Sequence, residues 1–332
     1  MDNPVRDLFI TLSENQMLNS AAKRWGLKLG AQRVVAGVTI DDTINTIKKL
    51  NKQGINCTID NLGEFVFEKT EAIAAKNQIL QVVQAIHKSD VDAHISLKPS
   101  QLGLDIDYDF TYDNVEEIIA LAAKYNIFIN IDMESHRQLQ PSFNLLDDLH
   151  KKYKNIGTVI QSYFYRAEED LAEHTDLRLR LVKGAYKEAP EVAFQEQAKI
   201  DANYIKLIEW NLLNGKYTSI GTHDHHIINH VKDFVKQHDI SKDTFEFQML
   251  FGFREDLLLS LKEEGYSCCM YVPFGEDWYG YFMRRLAERP QNINLLVKQV
   301  FNKKTNTIIG LGVGSLILAK LINVKKKKFF VK

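Results

Sequence analysis

Between Ile55 and Val272 the chain alternates short runs rich in β-branched and apolar residues with longer segments whose apolar residues recur at helical spacing. The runs that read as strands are Ile55–Asp60, Ala93–Lys98, Ile127–Asp132, Thr158–Tyr163, Arg178–Lys183, Thr218–Thr222, Phe245–Met249 and Cys268–Val272. Helical periodicity follows them, for example over Glu64–His87, Asn114–Tyr125, Phe194–Leu213 and Arg254–Glu264. Such alternation builds a parallel sheet, and eight strand–helix units in one chain predict an α/β fold, a closed (β/α)8 barrel rather than an open doubly wound sheet. No Pro/Gly/Ser-rich linker and no fixed-period repeat interrupts it. The predicted organisation is an N-terminal helical segment over residues 1–37, a barrel over 38–302, and an apolar, lysine-flanked tail over 303–332.

A barrel of this kind carries chemistry at the C-terminal ends of its strands and packing below them. The strand ends here hold Asp60 and then Glu64; Lys98; Asp132 and Glu134; Gln161; Lys183 with Tyr186 after it; Thr222, His223 and Asp224; Gln248; and Tyr271. Chemically useful residues at nearly every strand end point to an enzyme. A second cluster lies in WYGYFMRRLAERPQN, Trp278–Asn292, where Tyr281, Arg284, Arg285 and Glu288 share neighbouring positions on a helix. Adjacent guanidiniums repel each other and suit a carboxylate or phosphate, with Glu288 placed to hold one of them. The same pattern also fits a solvated helix face with an ordinary i,i+4 pair.

Composition narrows the class. With 332 residues, 45% hydrophobic and 26% charged, the chain suits one large α/β domain or two small ones, and a formal net charge of −1 gives no bulk attraction for nucleic acid. Cys57, Cys268 and Cys269 lack metal-type spacing and read as buried structural thiols in a reducing compartment. The opening MDNPVRDLFITLSENQML has no secretory pattern, so the cytosol is expected. The run Thr307–Val324, TIIGLGVGSLILAKLINV, falls short of the roughly 20 clean apolar residues of a spanning helix. Lysines on both flanks fit shallow, peripheral contact with an anionic membrane surface, and a mobile tail or a helix packed on the barrel is the alternative. Gly310, Gly312 and Gly314 lack the βαβ context of a dinucleotide fingerprint.

Three chemistries compete at the strand ends. Lys98 or Lys183 suits a Schiff-base nucleophile if burial lowers its pKa, as in a barrel lyase or aldolase. Asp132, on the strand beside that of Lys98, argues instead for a charged, orienting lysine. His226 and His230 stand at i,i+4, but Ile227 occupies the place of the glutamate in zinc peptidase helices, and no metal is expected. Isolated glycines in MLFGFRED and PFGEDWYG do not make the usual glycine-rich barrel phosphate site.

Eight separated motifs, in order, carry a resemblance: IDNLGE at Ile59–Glu64, SLKPSQLG at Ser96–Gly103, NIDMES at Asn130–Ser135, VIQSY at Val159–Tyr163, RLVKGAY at Arg180–Tyr186, GTHD at Gly221–Asp224, FQMLFG at Phe247–Gly252 and YFMRRLAE at Tyr281–Glu288. From about Val35 to Asn302 the chain resembles the proline dehydrogenases, FAD-dependent barrels that oxidise L-proline to Δ1-pyrroline-5-carboxylate, and in particular the single-function bacterial kind. The resemblance implies that Arg284, Arg285 and Lys98 clamp the proline carboxylate, that Asp132 pairs with one of these cations, and that Glu288 buttresses the arginines. Tyr186, Leu250, Tyr271 and Tyr281 would enclose the pyrrolidine ring. Gln161, Arg180, Val182, Lys183, Gly184 and Ala185 would hold the flavin ring region, with Thr222, His223, Asp224 and Gln248 along the rest of the FAD. It also implies a last helix over the barrel mouth, hydride transfer to flavin N5 and electrons passed to a membrane quinone, which would give the lysine-flanked tail a purpose. The sequence names no general base. A flavin-free, membrane-tethered binding protein on the same barrel is the non-enzymatic alternative.

Overall fold

The computed structural model describes residues 34–63 and 66–288, with side chains of the last helix to Arg285. Two compact units divide the chain, one spanning Val34–Gly275 and the other containing the last described helix. In the first, α1 (Ile40–Asn51) leads into β1 (Asn56–Asn61), α2 (Lys69–Ser89), β2 (Ala93–Leu97), α3 (Tyr108–Lys124) and β3 (Ile129–Ile131). Then come α4 (His136–His150), β4 (Ile156–Gln161), α5 (Ala167–Glu173), β5 (Arg178–Val182), α6 (Gln197–Asn214) and β6 (Tyr217–Gly221). The unit ends with α7 (His225–Gln237), β7 (Phe245–Leu250), α8 (Glu255–Glu263) and β8 (Cys268–Phe274). The strands pair in parallel in chain order, and β8 closes onto β1 from Asn56–Cys269 to Asn61–Phe274, giving the closed barrel the alternation predicts. In the second unit α9 (Trp278–Glu288) carries the Arg–Arg motif.

Local chemistry sets the helix starts. Thr39 accepts from Asp42 N–H at the head of α1, with Asp41 and Asp42 in its first turn and Lys48 and Lys49 in its last, matching the helix dipole. Asp107 accepts from Phe110 N–H and starts α3 at Tyr108, earlier than the aliphatic periodicity from Asn114 suggests. Ser135 and Gln138 form a capping box on α4, and Asp224 accepts from His226 N–H to begin α7.

Several strands bury two faces of opposite character. In β7 the outward Phe245, Phe247 and Met249 are buried against the helices, and in β5 Leu179 and Leu181 do the same. Many inward residues are polar: Thr58, Asp60, His94, Ser96, Asn130, Arg180, Glu246 and Gln248 are all buried. Barrel interiors normally stack branched apolar side chains. Here those positions carry a hydrogen-bonded network, and buried polar groups are tolerated only when partnered. All three cysteines are buried and unbridged, and burial pushes the Cys268 thiol up to about 12. Among the described residues no helix is long and apolar enough to cross a membrane; Thr307–Val324 lies outside them.

Candidate active site

At the C-terminal ends of β1, β2, β3, β5 and β8 four charges and a phenol converge. Lys98, the residue after β2, places Nζ 2.5 Å from Asp60 Oδ1, 4.0 Å from Asp132 Oδ2 and 3.4 Å from the Tyr271 hydroxyl. The sequence pairs Lys98 with Asp132; in the structure Asp60 is its nearer carboxylate, because β2 lies between β1 and β3 and both neighbours deliver an aspartate to the same lysine. Asp132 serves mainly as an acceptor hub. Its Oδ1 receives Arg180 Nη1 at 2.9 Å, Asn130 Nδ2 at 2.9 Å and Ser96 Oγ at 3.0 Å, and its Oδ2 receives the Tyr271 hydroxyl at 3.3 Å. Arg180 also donates to Ser96 Oγ and Thr58 Oγ1, and its guanidinium lies 5.3 Å from the Tyr271 ring centroid. Asp60, Lys98, Asp132 and Arg180 are thus joined by ion pairs into one network that also takes in the Tyr271 hydroxyl.

The neighbouring strand ends supply hydrogen-bonding groups of fixed direction. Gln161, ending β4, donates through Nε2 to the carbonyls of Glu134 at 2.8 Å and Met133 at 3.3 Å. Glu134 in turn accepts both the N–H and the hydroxyl of Ser100, tying the turn after β2 to the loop after β3. Val182 ends β5, and Lys183, Gly184, Ala185 and Tyr186 form the loop after it. Lys183 Nζ bridges Asp201 at 2.6 Å and Asp224 at 3.5 Å. Burial works against ionisation of Asp224, yet the His226 and Ile227 backbone and the Lys183 ammonium hold its carboxyl below the usual range. Gly184 has φ +113°, and a Cβ there would stand 2.4 Å from the Tyr163 ring, so both conformation and space call for glycine. Thr222 Oγ1 accepts from Asp224 N–H. His223 Nε2 accepts from Leu250 N–H at 3.0 Å, which leaves its proton on Nδ1.

A lower layer supports the mouth. Glu246, with no exposed surface, accepts from Arg178 Nη2, Ser219 Oγ and Gln248 Nε2. Arg178 also lies over the rings of Tyr217 and Phe128, at 4.5 and 4.9 Å. Burial alone would raise the Glu246 pKa, but Arg178 and these hydrogen bonds hold it below the ordinary carboxylate value. Burial, helped by Arg178 and Arg180, keeps His94 neutral. Sequence reading passes over Glu246 and Arg178 because positions below the mouth are expected to be apolar; the alternation in FEFQML, with Glu246 and Gln248 on one face, is the signal that marks them. Among the described residues no group of His, Cys, Asp and Glu suits a metal.

On α9 the motif residues are described by themselves. Tyr281 is buried, Arg284 and Arg285 are half-buried, and the Arg285 guanidinium lies 5.1 Å from the Tyr281 ring centroid, as i,i+4 spacing allows. The Glu288 side chain falls outside the described residues.

Fold and mouth define a (β/α)8 barrel enzyme whose polar groups sit where such barrels do chemistry. The proline dehydrogenase family model matches residues 43–296, and the chain belongs to that family. It is 45% identical over 300 residues to proline dehydrogenase 2 of Bacillus subtilis, covering 90% of this chain and 99% of that one. It is 38% identical to the proline dehydrogenase of Deinococcus radiodurans, covering 90% and 98%. Among solved structures, proline utilization A from Bdellovibrio bacteriovorus inactivated by N-propargylglycine superposes with a TM-score of 0.74 at 24% identity, over 85% of this chain and 35% of that one. That likeness concerns the fold, and this chain spans about a third of the larger protein's length.

Proposed function

We propose that the protein oxidises L-proline to Δ1-pyrroline-5-carboxylate with FAD as cofactor and passes the electrons to a membrane quinone. Membership of the family, with relatives named proline dehydrogenase matched over nearly their whole length, supports the activity. The observation that carries the reading is the Lys98–Asp132–Arg180–Tyr271 frame, built by strands distant in sequence and closed at the catalytic end of the barrel. The substrate carboxylate is assigned to Arg284 and Arg285, whose planar forks match it bidentately, with Lys98 joining them. Tyr271, Tyr186, Leu250 and Tyr281 offer the apolar and aromatic surface that a pyrrolidine ring requires. Glu288 is assigned to the arginines through its i,i+4 and i,i+3 spacing.

The barrel also fits a flavin. Gln248 Oε1 and Arg180 Nε are both buried with no hydrogen-bond partner among the described residues, a spare acceptor and a spare donor inside the barrel. A polar heterocycle bearing N–H, C=O and ring nitrogens answers both. Gln161, Arg180, Lys183 and Gln248, with Val182, Gly184, Ala185, Thr222, His223 and Asp224, would hold it. When bound, the flavin supplies the acceptor for the hydride that leaves proline Cδ. The residues bind and orient the ring, exclude water and keep the reacting groups in register. The tail beyond Asn302, with its lysine flanks, is assigned to peripheral contact with the inner face of the membrane, near a lipid-dissolved acceptor.

The visible absorption spectrum tests the reading. Purified protein should be yellow and should bleach when proline is added without oxygen. A colourless protein that takes up no FAD, or a flavin that proline leaves oxidised, overturns it; a borohydride-trapped lysine adduct would assign the barrel to Schiff-base chemistry instead.

A further inference from the structure

The inward face of β7 holds Glu246 and Gln248 two residues apart, and they are bonded to each other: Gln248 Nε2 donates to Glu246 Oε1 at 2.6 Å. The same oxygen accepts from Arg178 and Ser219, while Asn56 Nδ2 stands 3.4 Å from Oε2. Arg178 and these donors keep the carboxyl ionised, and an ionised carboxylate only accepts. The Gln248 amide therefore has one permitted orientation, because the flipped one would set its carbonyl oxygen against the carboxylate. Its Oε1 is thus turned away from Glu246, buried and without a partner among the described residues, on a residue only 4% exposed. The register neighbour of Gln248 on β6 is Gly221, which brings no side chain to occupy that oxygen. Gln161 follows the same logic, since its amide nitrogen is spent on two backbone carbonyls.

We infer that Glu246 is a positioning residue that locks the Gln248 amide, so that Oε1 is held as a fixed acceptor for a hydrogen-bond donor of the flavin. The inference rests on the flavin reading of the barrel mouth. An unlocked amide offers a donor or an acceptor with equal ease and pays for the choice on binding; a locked one is already arranged. Oxidised flavin has donors to match, one ring N–H and the ribityl hydroxyls. Glu246 acts on the cofactor only through Gln248.

The test uses the full chain stripped of flavin, with FAD as the probe and glutamine labelled with 15N and 13C, the Gln248 signals being identified by their loss in Gln248→Met. In wild type the Gln248 side-chain N–H protons should be protected from exchange before FAD is added and keep their shifts afterwards, while the side-chain carbonyl carbon moves. Glu246→Gln removes the forced orientation and should weaken FAD binding by about tenfold, the worth of one well-made hydrogen bond. The exchanged pair Glu246→Gln with Gln248→Glu keeps the net charge and an acceptor at position 248, and should recover affinity to within about threefold of wild type. If the N–H protons shift on binding and the carbonyl carbon does not, or if Glu246→Gln binds FAD as wild type does, the inference is wrong and the flavin reading stands. Wild type that binds no FAD overturns both. Should Glu246→Gln fail to fold, the wild-type resonances decide alone.

Discussion

Arg178→Met isolates the buried pair beneath the mouth and gives a stability change of known sign. It leaves Glu246, wholly buried, with Ser219, Gln248 and Asn56 as donors but no counter-charge. Breaking a buried ion pair from one side costs about 3–5 kcal/mol. The neutral donors that remain, and the 24% exposure of the Arg178 side chain, place this case at the lower end, about 3 kcal/mol. Unfolding entropy of about 2.1 cal/mol/K per residue, taken over 332 residues, is roughly 0.7 kcal/mol/K, so Tm should fall by about 4 °C.

The pH dependence separates charge from packing. In wild type the folded-state pKa of Glu246 lies below its unfolded value, so the pair contributes stability above about pH 4.3 that is lost as pH falls through the folded pKa. Without Arg178, burial dominates and the folded pKa rises above the unfolded one. The variant's native state then binds the proton more tightly, and its deficit shrinks as pH falls. Asp92 and His94 act in the same sense, since Arg178 opposes proton uptake by both. Thermal melts of wild type, Arg178→Met and Arg178→Met with Glu246→Leu, at about pH 5 and about pH 8, check this: the single variant's deficit should be wider at the higher pH, and the double variant should regain most of it. A deficit equal at both pH values, or a double variant no better than the single, would refute the account.

The remaining predictions concern the mouth, the helix and the tail. Arg284→Lys and Arg285→Lys should each raise the proline KM by about thirtyfold or more, from a lost charged contact of about 2–5 kcal/mol, with flavin content unchanged; wild-type kinetics would remove the clamp assignment. Lys98→Met should weaken proline binding, while borohydride traps no adduct on wild-type Lys98; an adduct there would move the protein to the lyase class. Gly184→Ala should lower stability by at least about 2 kcal/mol and reduce flavin content, because φ +113° and the Tyr163 ring both oppose a side chain; an unchanged Tm would show that the loop relaxes freely. Truncation after Asn302 should leave flavin content and turnover with a soluble dye intact but reduce sedimentation with anionic liposomes and turnover with a membrane quinone; equal liposome binding would show that the tail is not the anchor.

The barrel was legible because its outward strand faces and helices share one apolar layer, so both periodicities stand out in a single sequence. Boundaries were less so, for local reasons. Ile127 reads as strand, yet its N–H bonds to Ala122 O and closes the end of α3, which leaves β3 only Ile129–Ile131. Likewise α3 begins in DYDFTYD, which shows no aliphatic stripe and is started by the Asp107 cap. In the site, Lys98, Asp132, Arg180 and Tyr271 could be named from strand ends and motifs, but not who bonds to whom. Along the sequence Asp132 reads as the partner of Lys98, and only the parallel register, together with the turn of Asp132 toward Arg180, makes Asp60 the nearer one.

Glu246 and Arg178 show the deeper reason. Below the mouth, apolar side chains would pack a barrel at less cost than a charged pair, since replacing a buried ion pair by hydrophobic residues is often neutral or stabilising. A chain that keeps charge there gains direction in return. Arg178 fixes the charge state of Glu246, Glu246 fixes the amide of Gln248, and one layer up Arg180 fixes Asp132, which takes the Tyr271 hydroxyl. The inward charges of β5 and β7 therefore belong to the mouth although they lie beneath it. In a barrel strand whose inward positions alternate charge with amide, the residue two places before a mouth group is the one to examine for what orients it.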